Sequence, residues 1–245
     1  MPGTLAPPGA NQPERFPGGA AHHHPVRAVH IVAITDRHRM VPAAVLASGD
    51  WPAIAADFGA AVARAVAGCP AGSVVVQVRE KDLDGGPLLQ LVRAAQPFAP
   101  ISVNDRLDVA LAAGAWGVHL PERGLAVDTA RAIAGRARAA GAAASLVVGV
   151  SRHAADAGSN ADLFQLGPIW ATPSKPGVAA LGEAALAWPH GRAALVAVGG
   201  IDSADRATAA AAAGADAVAV IRAAWTGDSV ASFVAAVEAG RTRRA

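Results

Sequence analysis

Short β-branched and apolar runs recur along the chain, and alanine-rich segments of helical length lie between most of them. The strand-like runs are HIVAIT (30–35), VVVQVRE (74–80), ISVND (101–105), GVHL (117–120), LVVGVS (146–151), LFQLGPI (163–169), ALVAVGG (194–200) and AVAVI (217–221). The intervening patterns include WPAIAADFGAAVARAVAG, PLLQLVRAAQP, RLDVALAAG, AVDTARAIAGRARAAG, SADRATAAAAAG and SVASFVAAVEAG. Ala and Leu favour helix, and the Gly closing several of these segments suits a C-cap. Ser203 and Asp228 suit N-caps. The strand-like runs are almost continuously apolar, as strands buried on both faces of a parallel sheet must be. This alternation predicts an α/β protein, and the count of strands favours a closed (β/α)8 TIM barrel over an open doubly wound sheet. The thinnest unit follows the sixth strand, where ALGEAALAWPHG is short for a helix.

The barrel pattern occupies residues 28–245. Ahead of it, residues 1–27 are rich in Pro, Gly and Ala without periodicity, which predicts a disordered extension. Its His22, His23 and His24 read as a solvated tract rather than a metal site. No apolar run reaches the roughly 18 residues of a spanning helix, and no secretory signal layout opens the chain. One cysteine, Cys69, leaves no internal disulfide and no multi-cysteine metal site. The formal charge of +2 and the aromatic content of 4% argue against nucleic acid as a partner. The basic RTRR at 241–244 reads as a frayed tail. The expectation is a cytoplasmic protein acting on small molecules, with a homo-oligomer left open.

Polar and turn-forming residues gather where the strand-like runs end: Thr35-Asp36-Arg37, Arg79-Glu80-Lys81, Asn104-Asp105-Arg106, His119, Ser151, Gly167-Pro168 and Gly199-Gly200. That end of a barrel carries the active site. In VVVQVREKDL, Gln77, Arg79 and Lys81 alternate, so an extended strand aims an amide, a guanidinium and an ammonium to one side. The trio suits a polyanion, and its rival reading is a rim salt bridge to Glu80 or Asp105. Asp105 beside such a cluster either pairs with it or holds Mg²⁺ through one oxygen while phosphates complete the shell. The loop LGPIWATPSKPG (166–177) adds Thr172, Ser174 and Lys175. Gly199-Gly200 permits close approach of a phosphate to the backbone, or serves only as a tight turn. His119 reads as a packed histidine.

Taken in order, AITDR, QVREK, VNDRLDVALAAGAWGVHL, VVGVSRH, LGPIWATPSKPG, VAVGGI and AGADAVAV resemble the successive motifs of thiamine phosphate synthase and its relative, thiazole tautomerase. The resemblance runs from about His30 to Gly240 and implies a (β/α)8 fold with Mg²⁺ as cofactor. It implies joining of hydroxymethylpyrimidine diphosphate to thiazole phosphate with release of pyrophosphate. Gln77, Arg79 and Lys81 then match a diphosphate clamp, and Asn104 and Asp105 match the pair that contacts the diphosphate, with Asp105 on the metal. Ser151 and Lys175 match further diphosphate contacts, Thr172, Ser174 and Gly200 match contacts to the thiazole phosphate, and Ile221 is a further candidate binding residue. Arg79, Ser151, His153 and Lys175 are the candidate catalytic residues.

Two positions depart from the synthase pattern. GVHLPERGL puts Gly124 where a second metal carboxylate belongs, with Glu122 or Asp128 as candidate substitutes, and Arg222 stands where a small hydroxyl residue is common. His153 matches the catalytic histidine of the tautomerase, which isomerises a thiazole carboxylate phosphate. Synthase, tautomerase and a non-catalytic binder of thiamine precursors therefore all remain readings of the sequence.

Overall fold

The computed structural model describes residues 26–141, 146–154, 159–227 and 229–244. The expected N-terminal extension up to residue 25, with its three histidines, lies outside the described residues, as does the expected N-cap Asp228. Eight parallel strands close into a barrel in sequence order: β1 (Ile31–Ile34), β2 (Val74–Val78), β3 (Ile101–Asn104), β4 (Gly117–Leu120), β5 (Val147–Arg152), β6 (Leu163–Leu166), β7 (Ala194–Val198) and β8 (Ala217–Val220). The ring closes where β1 pairs with β8, Ile31 beside Val218.

Strand positions sort by parity. Ile31, Ala33, Val76, Val78, Ile101 and Val103 join one core with Phe58, Leu88 and Leu91 of the helices. Val32, Ile34, Val75, Leu163, Val196 and Ala219 form a second, separate core, which is the barrel interior. Being buried on both faces explains why the strands lack polar alternation in the sequence. The interior changes character toward the C-terminal ends of the strands. There Gln77, Ser102, His119 and Gln165 are all buried, each in phase with the inward apolar positions.

The outer layer contains α1 (Arg37–Met40), α2 (Ala43–Ser48), α3 (Trp51–Ala65), α4 (Gly85–Ala95), α5 (Leu107–Ala113), α6 (Val127–Ala139), α7 (Ala204–Ala212), α8 (Arg222–Trp225) and α9 (Ala231–Arg244). Asp50 caps α3 by accepting from the Ala53 N–H, and Ser203 caps α7 by accepting from Arg206. Among the described residues no α-helix joins β6 to β7, only a 3₁₀ turn over Glu183–Ala187. The connection is instead the Pro-rich loop that carries Thr172, Ser174 and Lys175.

RTRR is not a frayed tail, because α9 continues through it. Gly240, expected to end that helix, lies inside it: a Cβ there would sit 2.6 Å from Ala211 Cβ, so the glycine lets α9 lie directly on α7. Beyond it, half-buried Arg241 donates to the carbonyls of Val29 and Asp216, at the starts of β1 and β8. The helix thereby clasps the seam of the barrel from below. No helix among the described residues is long and apolar enough to cross a membrane.

Candidate active site

β2 ends at Val78, so the clamp divides at that point. Gln77 is 2% exposed inside the barrel, whereas Arg79 and Lys81 lie past the strand end and are exposed. Glu80, the expected rim partner, turns the other way. It accepts from Thr35 Oγ1 at 2.6 Å, from the Arg37 backbone N–H at 3.1 Å and from Arg37 Nη1 at 3.1 Å. Burial raises its pKa above the ordinary carboxylate value, against the opposing hydrogen bonds from Thr35 and Arg37. Arg37 is further held by Asp82, at 2.7 and 2.5 Å. No carboxylate among the described residues pairs with Arg79 or Lys81.

Lys175 comes from the β6–β7 loop to the same region. Burial lowers its pKa; the Glu122 charge opposes this, while the charges of Arg79 and Lys81 push it further down. Three cations thus lie close enough to feel one another, and an anion among them relieves that repulsion. Lys175 Nζ is 2.6 Å from His153 Nε2, and His153 Nδ1 is 2.6 Å from Glu122 Oε2. The His153 backbone N–H also donates to Glu122 Oε1 at 3.1 Å. Burial pushes the Glu122 carboxyl up, but the bonds from His153 outweigh it and leave the pKa lowered.

His119 and Ser151 line the interior between the clamp and the loop. His119 Nε2 lies 2.9 Å from Ser151 Oγ, and burial followed by the Arg79 charge pushes the imidazole down to about 3. The ring fits because its neighbour on β5 is Gly149, where a Cβ would stand 3.1 Å from His119 Nδ1. It is a packed, neutral histidine, as its position in GVHL suggested.

A pocket opens beside Lys175, lined by Thr172, Ser174, Gly199, Gly200, Ile221 and Arg222. Gly199 and Gly200 have φ of 96° and 73°, and a Cβ on Gly200 would press within 2.6 Å of Trp170 Cβ. The pair therefore meets a steric demand that only glycine satisfies, and it brings bare backbone to the pocket wall. Arg206 braces this turn by donating to the Gly200 carbonyl and lying 5.6 Å from the Trp170 ring centroid.

Similarity to known proteins extends over most of the chain. A family model described as thiamine monophosphate synthase matches residues 45–224. The chain belongs to that family. A thiamine-phosphate synthase from Anaeromyxobacter dehalogenans is 39% identical over 201 residues, covering 75% of this chain and 86% of that protein. A relative from Geobacter sulfurreducens is 43% identical over 129 residues, which span 48% of this chain but only 55% of that relative's length. A solved thiamine phosphate pyrophosphorylase from Pyrococcus furiosus superposes with a TM-score of 0.58 at 25% identity, covering 89% of this chain and 96% of the other.

The departure noted at Gly124 lies beside Asp105, the residue expected to hold a metal. Asp105 is exposed, with φ of 64° at the end of β3, and a Cβ on Gly124 would lie 3.4 Å from its Oδ1. Position 124 therefore faces Asp105, and it supplies no carboxylate. Glu122 does not substitute, because both of its oxygens are engaged by His153. No group of three or more His, Cys, Asp or Glu among the described residues could hold a metal ion by itself. One carboxylate fits magnesium only where substrate phosphates complete the shell.

Glu122 is the residue that sequence reasoning assigned elsewhere, weighing it as a metal ligand. The Thr35–Glu80–Arg37 network behind Arg79 was missed, since its members are 45 and 43 residues apart along the chain.

Proposed function

We propose that this chain joins hydroxymethylpyrimidine diphosphate to thiazole phosphate with release of pyrophosphate, in thiamine biosynthesis. The observation that carries the reading is the convergence of Lys175 on Arg79 and Lys81, neither of them paired with a carboxylate, beside the glycine-walled pocket. In this reading Arg79 gives a fork and Lys81 and Lys175 give point charges to the diphosphate, with Gln77, Asn104 and Ser151 as polar neighbours. Thr172, Ser174 and the backbone of Gly200 hold the thiazole phosphate, and Ile221 gives the ring an apolar wall.

The chemistry asks little beyond alignment and charge. The electron-rich aminopyrimidine expels pyrophosphate, the C–O bond electrons leave with the diphosphate oxygen, and the thiazole nitrogen captures the resulting cation. Fixed cations stabilise the departing charge, and the pocket places the nitrogen in line. Asp105, together with the substrate's phosphates, would hold magnesium, which would supply further charge neutralisation at the diphosphate. The setting proposed is cytoplasmic.

The test is direct. Purified protein with Mg²⁺ and both substrates is expected to release pyrophosphate and form thiamine phosphate, and to release none with either substrate alone. Absence of both products at saturating Mg²⁺ overturns the reading.

A second reading has its own observation. The bond that His153 Nδ1 gives to Glu122 orients the imidazole beside Lys175, which lines the pocket, as a proton-transferring histidine requires. A tautomerase acting on the thiazole carboxylate phosphate would show isomerisation that disappears in His153→Ala. Binding of these ligands without turnover in either assay would favour a precursor-binding protein.

A further inference from the structure

The contacts of His153 restrict its protonation more tightly than its exposure suggests. A carboxylate only accepts hydrogen bonds, so at 2.6 Å from Glu122 Oε2 the His153 Nδ1 carries the proton. An ammonium only donates, so at 2.6 Å from Lys175 Nζ the His153 Nε2 is bare. The chain of contacts therefore runs carboxylate, imidazole, ammonium, with one hydrogen-bond direction throughout. Glu122 anchors it twice, because it also accepts the His153 backbone N–H.

We propose that Glu122 is a positioning residue: it fixes His153 as the Nδ1–H tautomer, so that Nε2 holds the Lys175 ammonium beside Arg79 and Lys81. This deepens the synthase reading and rests on it only for the identity of the anion. Without Glu122, His153 is free to carry its proton on Nε2. That tautomer aims a donor at a donor, and Lys175 loses the acceptor that holds its ammonium. The carboxylate missing from position 124 is thus not replaced at the metal. A carboxylate two residues earlier instead organises a cation of the clamp.

The proposal predicts a tautomer and a coupling. Nitrogen-15 spectra of the ligand-free protein are expected to show His153 protonated at Nδ1 and bare at Nε2, with Glu122→Ala shifting it toward Nε2–H. Inorganic pyrophosphate with Mg²⁺, titrated calorimetrically, should bind Glu122→Ala and Lys175→Ala each about tenfold more weakly, the worth of one charge-assisted hydrogen bond. The double variant should bind no worse than Lys175→Ala alone, because both changes remove one contact. Glu122→Asp, which keeps the acceptor, should restore part of the affinity. A wild-type His153 protonated at Nε2, or losses that add in the double variant, would overturn the proposal. Tautomer and coupling as expected in a protein that forms no thiamine phosphate would uphold it while removing the synthase reading.

Discussion

Thr35 Oγ1 stands 2.6 Å from Glu80 Oε1 and donates to it, while the same oxygen accepts the backbone N–H of Arg79 at 3.0 Å. One hydroxyl therefore links a buried carboxylate to the backbone of Arg79. Glu80 is 7% exposed and also receives Arg37. Glu80→Ala leaves that arginine with only the exposed Asp82, and we expect a loss of about 3 kcal/mol in urea unfolding. Glu80→Gln, which keeps shape and one acceptor, should lose less.

Arg79 and Lys81 should be selective in what they hold. Arg79→Ala and Lys81→Ala are each expected to weaken pyrophosphate binding by roughly tenfold, one charge-assisted contact, and to change thiazole phosphate binding little. Titration with each ligand separately makes the comparison, and equal losses for the two would contradict the assignment.

Position 124 offers a gain-of-function test. Gly124→Asp places a carboxylate against Asp105, at a cost of about 1 kcal/mol because its Cβ meets Pro121 Cδ at 2.9 Å. Half-saturation of activity by Mg²⁺ should fall to lower concentration. Gly124→Ala carries the same crowding without the charge and should leave the Mg²⁺ requirement unchanged.

His119 gives the fold an acid sensitivity. Its folded pKa of about 3 lies below the ordinary 6.5, so the unfolded chain binds a proton that the folded chain refuses. Stability from this group is complete above pH 6.5 and is lost as pH falls toward 3, with a slope approaching roughly 1.4 kcal/mol per pH unit. Unfolding free energies measured from pH 7 to 4 should fall less steeply in His119→Asn.

Much of this was legible because a parallel barrel writes each strand as a short apolar run. All eight strands lie where those runs stand, with ends differing by a residue or a few. The gathering of polar groups at the strand ends was legible for a related reason: such groups are costly on an apolar strand unless they meet solvent, a ligand or one another, as Thr35 and Glu80 do. Lys81 shows the limit, since strand alternation was extended past Val78, where the chain has already entered a turn. Gly240 and RTRR misled for the opposite reason. A glycine serving close helix packing looks the same in sequence as one ending a helix, and only the presence of α7 beneath it distinguishes them. Glu122 was visible as a carboxylate, but its partner His153 lies 31 residues away.

The clasp of Arg241 across the seam sets the two rims of the barrel apart. Below, the guanidinium is satisfied by the chain's own carbonyls of Val29 and Asp216. Above, the exposed Arg79 and Lys81 have no acidic counterpart among the described residues. The clasp that closes the ring and the unpaired cations of the candidate site thus lie at opposite poles of one cylinder.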